Sequence, residues 1–278
     1  MARRRPRQRK DGGLGWAGFG GILLLLLAIT SGGALAYFYL STPARPVLDA
    51  QSLCPVNGPQ GVTVVLVDTS DDLPETTRRE VLGELDDLIT TLPPLYRLDI
   101  RVLDIAGGRS RSLFSKCNPG DGASLSEWTD NPRIARLRWI EDFRKPAVEA
   151  VKHSIAAAKA TSSPIMAAIQ DIAIDQFSSA ASQSARKTLY VISDMIEHTR
   201  DYSQYSRAGD LSFQRYKQSS AYLKYRTDLH GATVIIRYVT RQTNGQPLVD
   251  GPRHIEFWKS WIEDSRGTFG GAKRLQGA

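Results

Sequence analysis

Three short stretches hold the side chains best suited to chemistry. In the first, Val62-Thr63-Val64-Val65-Leu66-Val67-Asp68-Thr69-Ser70-Asp71-Asp72, a β-prone run leads into carboxylates and hydroxyls. Asp68, Ser70 and Asp72 alternate there, so three oxygen-bearing side chains can converge on a hard cation. The other reading of Asp71 or Asp72 is a cap for the helix that follows. The second stretch is Thr161-Ser162-Ser163-Pro164-Ile165, hydroxyls placed just before a helical pattern. The third, Val191-Ile192-Ser193-Asp194-Met195, is another apolar run ending in an aspartate. Oxygen-only donors of this kind select Mg²⁺, Mn²⁺ or Ca²⁺ rather than zinc or copper.

The elements that must position these groups follow from periodicity. Val62–Val67, β-prone throughout and apolar but for Thr63, and the apolar run Leu189–Ile192 read as strands buried on both faces of a parallel sheet. Such strands place ligands beyond their carboxyl ends. Val81, Leu82, Leu85, Leu88, Ile89 and Leu92 recur at helical spacing after Pro74, which suits a first helical turn. Arg97-Leu98-Asp99-Ile100-Arg101-Val102 alternates charged and apolar residues, predicting a half-exposed strand near a sheet edge, with an antiparallel partner over Ser112 to Lys116. Asn131-Pro132 opens a helix that Pro146 is expected to break. Ile165, Ile169, Ile172 and Phe177 mark another helix, and one more is expected from about Leu211 to Leu229. Thr233 to Val239 reads as a strand, and a final helix holds Phe257, Trp258, Trp261 and Ile262. Strands alternating with helices predict an α/β sandwich, a Rossmann-like, mostly parallel sheet with helices on both faces.

With those elements in order, the chain resembles the von Willebrand factor A domain family. The resemblance is carried by Asp68-Thr69-Ser70-Asp71-Asp72 after the first strand, Ser163-Pro164-Ile165 at a helix start, and Ser193-Asp194 at the end of a later strand. Two departures are visible: Asp72 stands where the family has a serine, and Met195 where it commonly has glycine. The resemblance implies an antiparallel edge strand and a metal-ion-dependent adhesion site holding Mg²⁺, Mn²⁺ or Ca²⁺. Its ligands here would be Asp68, Ser70, Asp72, Ser163 and Asp194, and a partner's acidic side chain would complete the coordination. A third carboxylate at Asp72 would strengthen cation binding but weaken capture of that acid.

Bulk properties point to a membrane rather than to nucleic acid. The net charge is +7, and Arg3, Arg4, Arg5, Arg7, Arg9 and Lys10 supply +6 of it, leaving +1 for everything after them. An interleaved basic-aromatic surface, as nucleic-acid binding favours, is not evident. Leu14 to Leu40 holds no charged residue, which is long enough to span a bilayer. Positive charge ahead of the span puts the N-terminus in the cytoplasm and the rest outside it, so the expectation is a single-pass anchor in the inner (cytoplasmic) membrane with the domain in the periplasm. The competing reading is a signal peptide cleaved near Ala34-Leu35-Ala36, and both readings export the domain. The expected organisation is a basic arm (1–13), a transmembrane anchor (14–40), a linker (41–60), the α/β domain (61–266) and a tail (267–278). In an oxidising compartment Cys54 and Cys117 are expected to form a disulfide.

Within the loop after Asp194, Tyr202, Tyr205 and Arg207 are the candidate partner-binding residues, since exposed Tyr and Arg favour interface hot spots. The alternative is that the tyrosines pack under the next helix. His198 has no activated nucleophile paired with it in the sequence, and no phosphate-binding loop or nucleophile elbow occurs. The functional expectation is therefore a membrane-anchored, extracytoplasmic module for protein–protein interaction or envelope assembly, rather than an enzyme. The alternatives are a metal-independent assembly protein of the same fold and a metal-dependent hydrolase using Asp68, Asp72 and Asp194.

Overall fold

The computed structural model describes residues 16–41, 46–70, 73–104, 108–125, 130–154, 160–205, 211–240, 242–243, 246–247 and 249–275. Asp72, Arg207 and the basic arm lie outside them. The chain divides into two units at Pro46/Val47. The first contains α1 (Trp16–Ser41), whose apolar stretch Phe19–Phe38 is long enough to cross a membrane.

The second unit is built on a six-stranded sheet. Its strands are β1 (Gly61–Val67), β2 (Tyr96–Asp104), β3 (Arg109–Cys117), β4 (Arg186–Ser193), β5 (Thr233–Tyr238) and β8 (Thr268–Arg274), in the order β3-β2-β1-β4-β5-β8. All neighbours are parallel except β3, the antiparallel edge. A two-residue pair, β6 (Gln242–Thr243) with β7 (Gln246–Pro247), stands apart. The helices are α2 (Glu75–Thr91), α3 (Pro132–Arg138), α4 (Lys145–Ser154), α5 (Ile165–Ile172), α6 (Phe213–Lys217), α7 (Ser220–Tyr225) and α8 (Gly251–Asp264).

β1 is buried throughout, and its alternation feeds two cores. Val62, Val64 and Leu66 join Ile165, Ile169, Val191, Phe257 and Trp258 on one face. Val65 and Val67 join Val81, Leu85, Ile89 and Phe143 on the other. Trp258 and Trp261 lie in the core, as their helical spacing predicts.

Several expectations are corrected. Pro146 does not break the helix: α3 runs on through a π-helical turn (Trp139–Arg144) into α4. In that turn the Lys145 N–H reaches back five residues to the Ile140 carbonyl, and the shifted ladder admits a residue without an N–H. β2 is buried rather than half-exposed. A second π-helical turn after α5 brings Asp175 onto Arg101 at 2.9 Å, and Ser112 donates to Asp99. Burial raises the pKa of Asp99 and lowers that of Arg97. The helix expected over 211–229 is two short ones, because the Ser212 and Ser219 hydroxyls each cap a separate start. The expected tail supplies strand β8, which lacks apolar alternation and owes its conformation to pairing with β5. From Val47 the expected linker is folded: Leu48 bridges Pro55, and the Ser52 carbonyl accepts the Cys117 N–H at 2.8 Å.

Cys54 and Cys117 form the expected disulfide, joining this entry segment to the end of the edge strand β3 across 63 residues. Closing a loop of that length restricts the unfolded chain by roughly 4 kcal/mol in the chain-entropy view. Reducing the bond, or replacing both cysteines by serine, is expected to lower stability by about 2–5 kcal/mol, read as a lower urea midpoint. A midpoint unmoved by reductant would contradict this role.

Candidate functional site

β1 and β4 are parallel neighbours in register, Val67 opposite Ile192, so Asp68 and Asp194 emerge at the same rim. The strand order reverses between these two strands, which is the topological switch point where open α/β sheets leave a crevice. The Asp68 N–H donates to the Ile192 carbonyl at 2.9 Å, carrying the pairing one residue past the strand.

The Asp68 carboxylate gathers the site around it. Oδ2 accepts the Ser193 hydroxyl at 2.7 Å and the Ser163 hydroxyl at 3.2 Å. Oδ1 accepts the Ser70 N–H at 2.9 Å. Ser70, Ser163 and Asp194 line a cavity of about 230 Å³ that is also bordered by Thr161, Ser162 and His198. Asp194 is itself buried and accepts the Ile196 N–H at 2.9 Å. The structure thus brings together Asp68, Ser70, Ser163 and Asp194. Ser163 arrives differently from expectation. It precedes α5 by two residues and pairs with His198 through two backbone hydrogen bonds of 2.8 and 3.0 Å.

Ser193 is a site residue that sequence reasoning passed over. Its neighbour Asp194 attracted the assignment, and strand alternation would send adjacent side chains to opposite faces. The strand ends between them, so both reach the rim. Met195, where a glycine was expected, adopts the left-handed backbone conformation with φ 60°. Its side chain is buried, its N–H donates to Ser193 Oγ and its carbonyl accepts the Trp258 indole at 2.8 Å. Those contacts hold a conformation that costs a non-glycine residue about 1 kcal/mol or more.

Of the expected partner-binding residues, Tyr202 is turned inward. Its ring stacks on Phe257 and meets Tyr216 edge-on, because the aromatic core beneath the loop offers more apolar contact than the surface. Tyr205 stays at the rim, 43% exposed and edge-on to His198. His198 Nδ1 lies 2.8 Å from Ser203 Oγ, but that oxygen also takes the Tyr205 N–H at 3.3 Å and belongs to a turn.

Below the rim lies a buried polar chain that sequence reasoning missed. Glu197 is fully buried, and Oε2 accepts the Met166 N–H at the start of α5 at 2.8 Å. Burial, reinforced by the nearby Asp68 charge, raises its pKa to about 8. The Glu197 N–H donates to Gln204 Oε1, which lies 2.9 Å from His254 Nε2. His254 Nε2 also lies 3.1 Å from the Trp258 indole nitrogen, and Nδ1 lies 2.9 Å from the Tyr238 hydroxyl. Burial lowers the His254 pKa to about 4, so the ring is neutral. A glutamate in a loop reads as solvated, and no periodicity marks it as buried.

The donor set fits a hard cation: Asp194 and several hydroxyls line the cavity beside Asp68, with no lysine or arginine lining it among the described residues. Among the described residues no group of three or more His, Cys, Asp or Glu stands together to hold a metal. A cation here would therefore depend on serine oxygens and retained waters, as Mg²⁺ commonly does.

No family model and no curated protein matches this sequence. Among solved structures, the conserved protein BatB from Bacteroides thetaiotaomicron is similar at 12% identity and a TM-score of 0.38, covering 78% of this chain and 91% of that one. An aerotolerance-related membrane protein from Bacteroides fragilis is similar at 13% identity and TM-score 0.35, covering 78% and 92%. The SpRpn10 VWA domain is similar at 8% identity and TM-score 0.39, covering 79% and 90%. The architecture itself, a mostly parallel sheet with an antiparallel edge strand and helices on both faces, is von Willebrand factor A-like.

The two buried titrating groups set opposite pH limbs. Glu197 has its pKa raised from 4.5 to about 8, so its contribution is complete below about pH 4.5 and is lost as pH rises toward 8. His254 has its pKa lowered from 6.5 to about 4, so its contribution is complete above pH 6.5 and is lost as pH falls toward 4. The two oppose each other between those limits. Above pH 6.5 stability is expected to fall by up to about 1.4 kcal/mol per pH unit, and Glu197→Gln is expected to flatten that limb in urea titrations. Parallel curves for the variant and the parent from pH 6.5 to 8 would refute the assignment.

Proposed function

We propose that the chain is a membrane-anchored adhesion-type module. α1 holds it to the membrane, and the folded unit outside the cytoplasm binds another protein through a divalent cation. The observation that carries this reading is the convergence of Ser163, Ser193 and the Ser70 amide on Asp68, beside a cavity that Asp194 lines. Asp68, Ser70, Ser163 and Asp194 would hold Mg²⁺, Mn²⁺ or Ca²⁺, with Asp72 as a further donor from outside the described residues. The bound ion would offer an open position to a partner's carboxylate. This chain's own contribution is orientation: Asp68 holds the hydroxyls in place, and the His198–Ser163 backbone pair fixes the loop before α5.

A second reading rests on the same hydrogen bonds. Asp68 already has both oxygens satisfied by protein donors, which suits a metal-independent assembly module. A thermal-melting titration separates the two. On the first reading, Mg²⁺ or Mn²⁺ at ten times its dissociation constant stabilises by about 1.4 kcal/mol and raises Tm by roughly 3–5 °C. Asp68→Ala and Asp194→Asn are expected to abolish that shift, and Ser163→Ala to reduce it. No shift at 10 mM, or the same shift in the variants, would leave the metal-independent reading.

A further inference from the structure

Beside the candidate cation site lies a second, larger cleft of about 730 Å³. Both are lined by Thr161, Ser162 and His198, so the two lie side by side. The cleft runs between the start of α5 (Pro164, Ala167, Gln170) and the loop after β4, with α7 closing its far side.

Its charges are not balanced. Asp201 is occupied, accepting Lys224 Nζ at 2.5 Å and the Tyr225 hydroxyl at 3.2 Å. Lys224 is thereby paired, in an ion pair whose two groups are both substantially exposed. Gln170 is turned to the carbonyls of Lys224 and Arg226. Arg200 remains: it is exposed, and among the described residues no hydrogen bond or ion pair engages its guanidinium. The lining therefore presents one uncompensated fork of N–H donors and the Thr161 and Ser162 hydroxyls, and its Asp201 carboxylate is already paired with Lys224.

We infer that this cleft receives an extended acidic segment of a partner protein, with one of its carboxylates on Arg200. The inference deepens the adhesion reading by naming the partner's chemistry. It stands on a different residue from those that would hold the cation. The occupant follows from the charge pattern. A polyphosphate or sulfated glycan brings no peptide backbone, whereas an acidic peptide offers both a carboxylate for the guanidinium and amide groups for the hydroxyls. An arginine fork takes a carboxylate through two parallel hydrogen bonds, and the hydroxyls can meet the peptide's backbone.

The test uses the full chain in detergent, with Arg3, Arg4, Arg5, Arg7, Arg9 and Lys10 changed to serine so that the arm does not bind the probe. The probe is a fluorescein-labelled hexa-aspartate peptide, compared with hexaserine and with heparin, in EDTA and in 5 mM Mg²⁺. Hexa-aspartate is expected to bind in preference to hexaserine, and Arg200→Glu to weaken it roughly tenfold or more, with Arg200→Lys falling between because an ammonium keeps the charge but not the bidentate contact. The Mg²⁺ melting behaviour should be the same in Arg200→Glu as in its parent. Equal binding of hexaserine, no binding of hexa-aspartate, affinity indifferent to Arg200→Glu, or an Arg200-dependent preference for heparin would each overturn the proposal. Arg200-dependent binding in EDTA with no Mg²⁺ melting shift would uphold it while the cation reading fails.

Discussion

The Asp68 carboxylate is the point on which the upper rim of the sheet depends. It stands one residue beyond a strand buried on both faces and collects hydrogen bonds from three separate segments: its own turn, the end of β4 and the loop before α5. Charge-assisted bonds to a carboxylate are among the stronger ones a protein makes, and here they span separations of 95 and 125 residues. The backbone pairing of Ser163 with His198 adds a second tie between the same segments. The cavity beside Asp194 thus has walls set before any ligand arrives, which is the condition for recognition with little reorganisation.

A second polar layer supports the first from below. Glu197 ties the loop after β4 to the first turn of α5, where the exposed N–H groups favour an acceptor. Burying a charged carboxylate there would be costly, and the raised pKa shows the alternative, a largely protonated group at neutral pH. The chain continues through Gln204 and His254 to Tyr238 on β5 and Trp258 on α8. Loop, helix and sheet are joined in one buried network, so the rim is rigid at its base while Tyr205 and Arg200 face outward.

Much of the fold was legible in the sequence because its signals are local. Continuous Val/Leu runs marked β1 and β4, spaced apolar residues marked α2, α5 and α8, and Asn131-Pro132 marked a helix start that the Asn131 side chain caps. The misreadings share a cause. Arg101 and Asp99 looked solvated because their partners, Asp175 and Ser112, are distant in sequence or on another strand. β8 looked like a tail because its order comes from β5. Pro146 looked like a break because a π-helical turn cannot be seen in periodicity. Tyr202 looked like surface because the aromatic cluster that draws it in includes Phe257, far along the chain.

The sequence by itself determined that Asp68, Ser70, Ser163 and Asp194 are oxygen donors at the ends of buried elements, and that a long uncharged apolar segment precedes them. Those are properties of residue type and spacing, which chain order preserves. The tertiary structure decided which oxygens meet: Ser193 rather than a helix-opening residue makes the shorter bond to Asp68, and Met195 holds the backbone conformation expected of glycine. It also decided that Glu197 is buried and that Arg200 has no partner among the described residues, though the two lie three residues apart in one loop. Burial and pairing depend on what the rest of the chain brings alongside, and no local pattern encodes that.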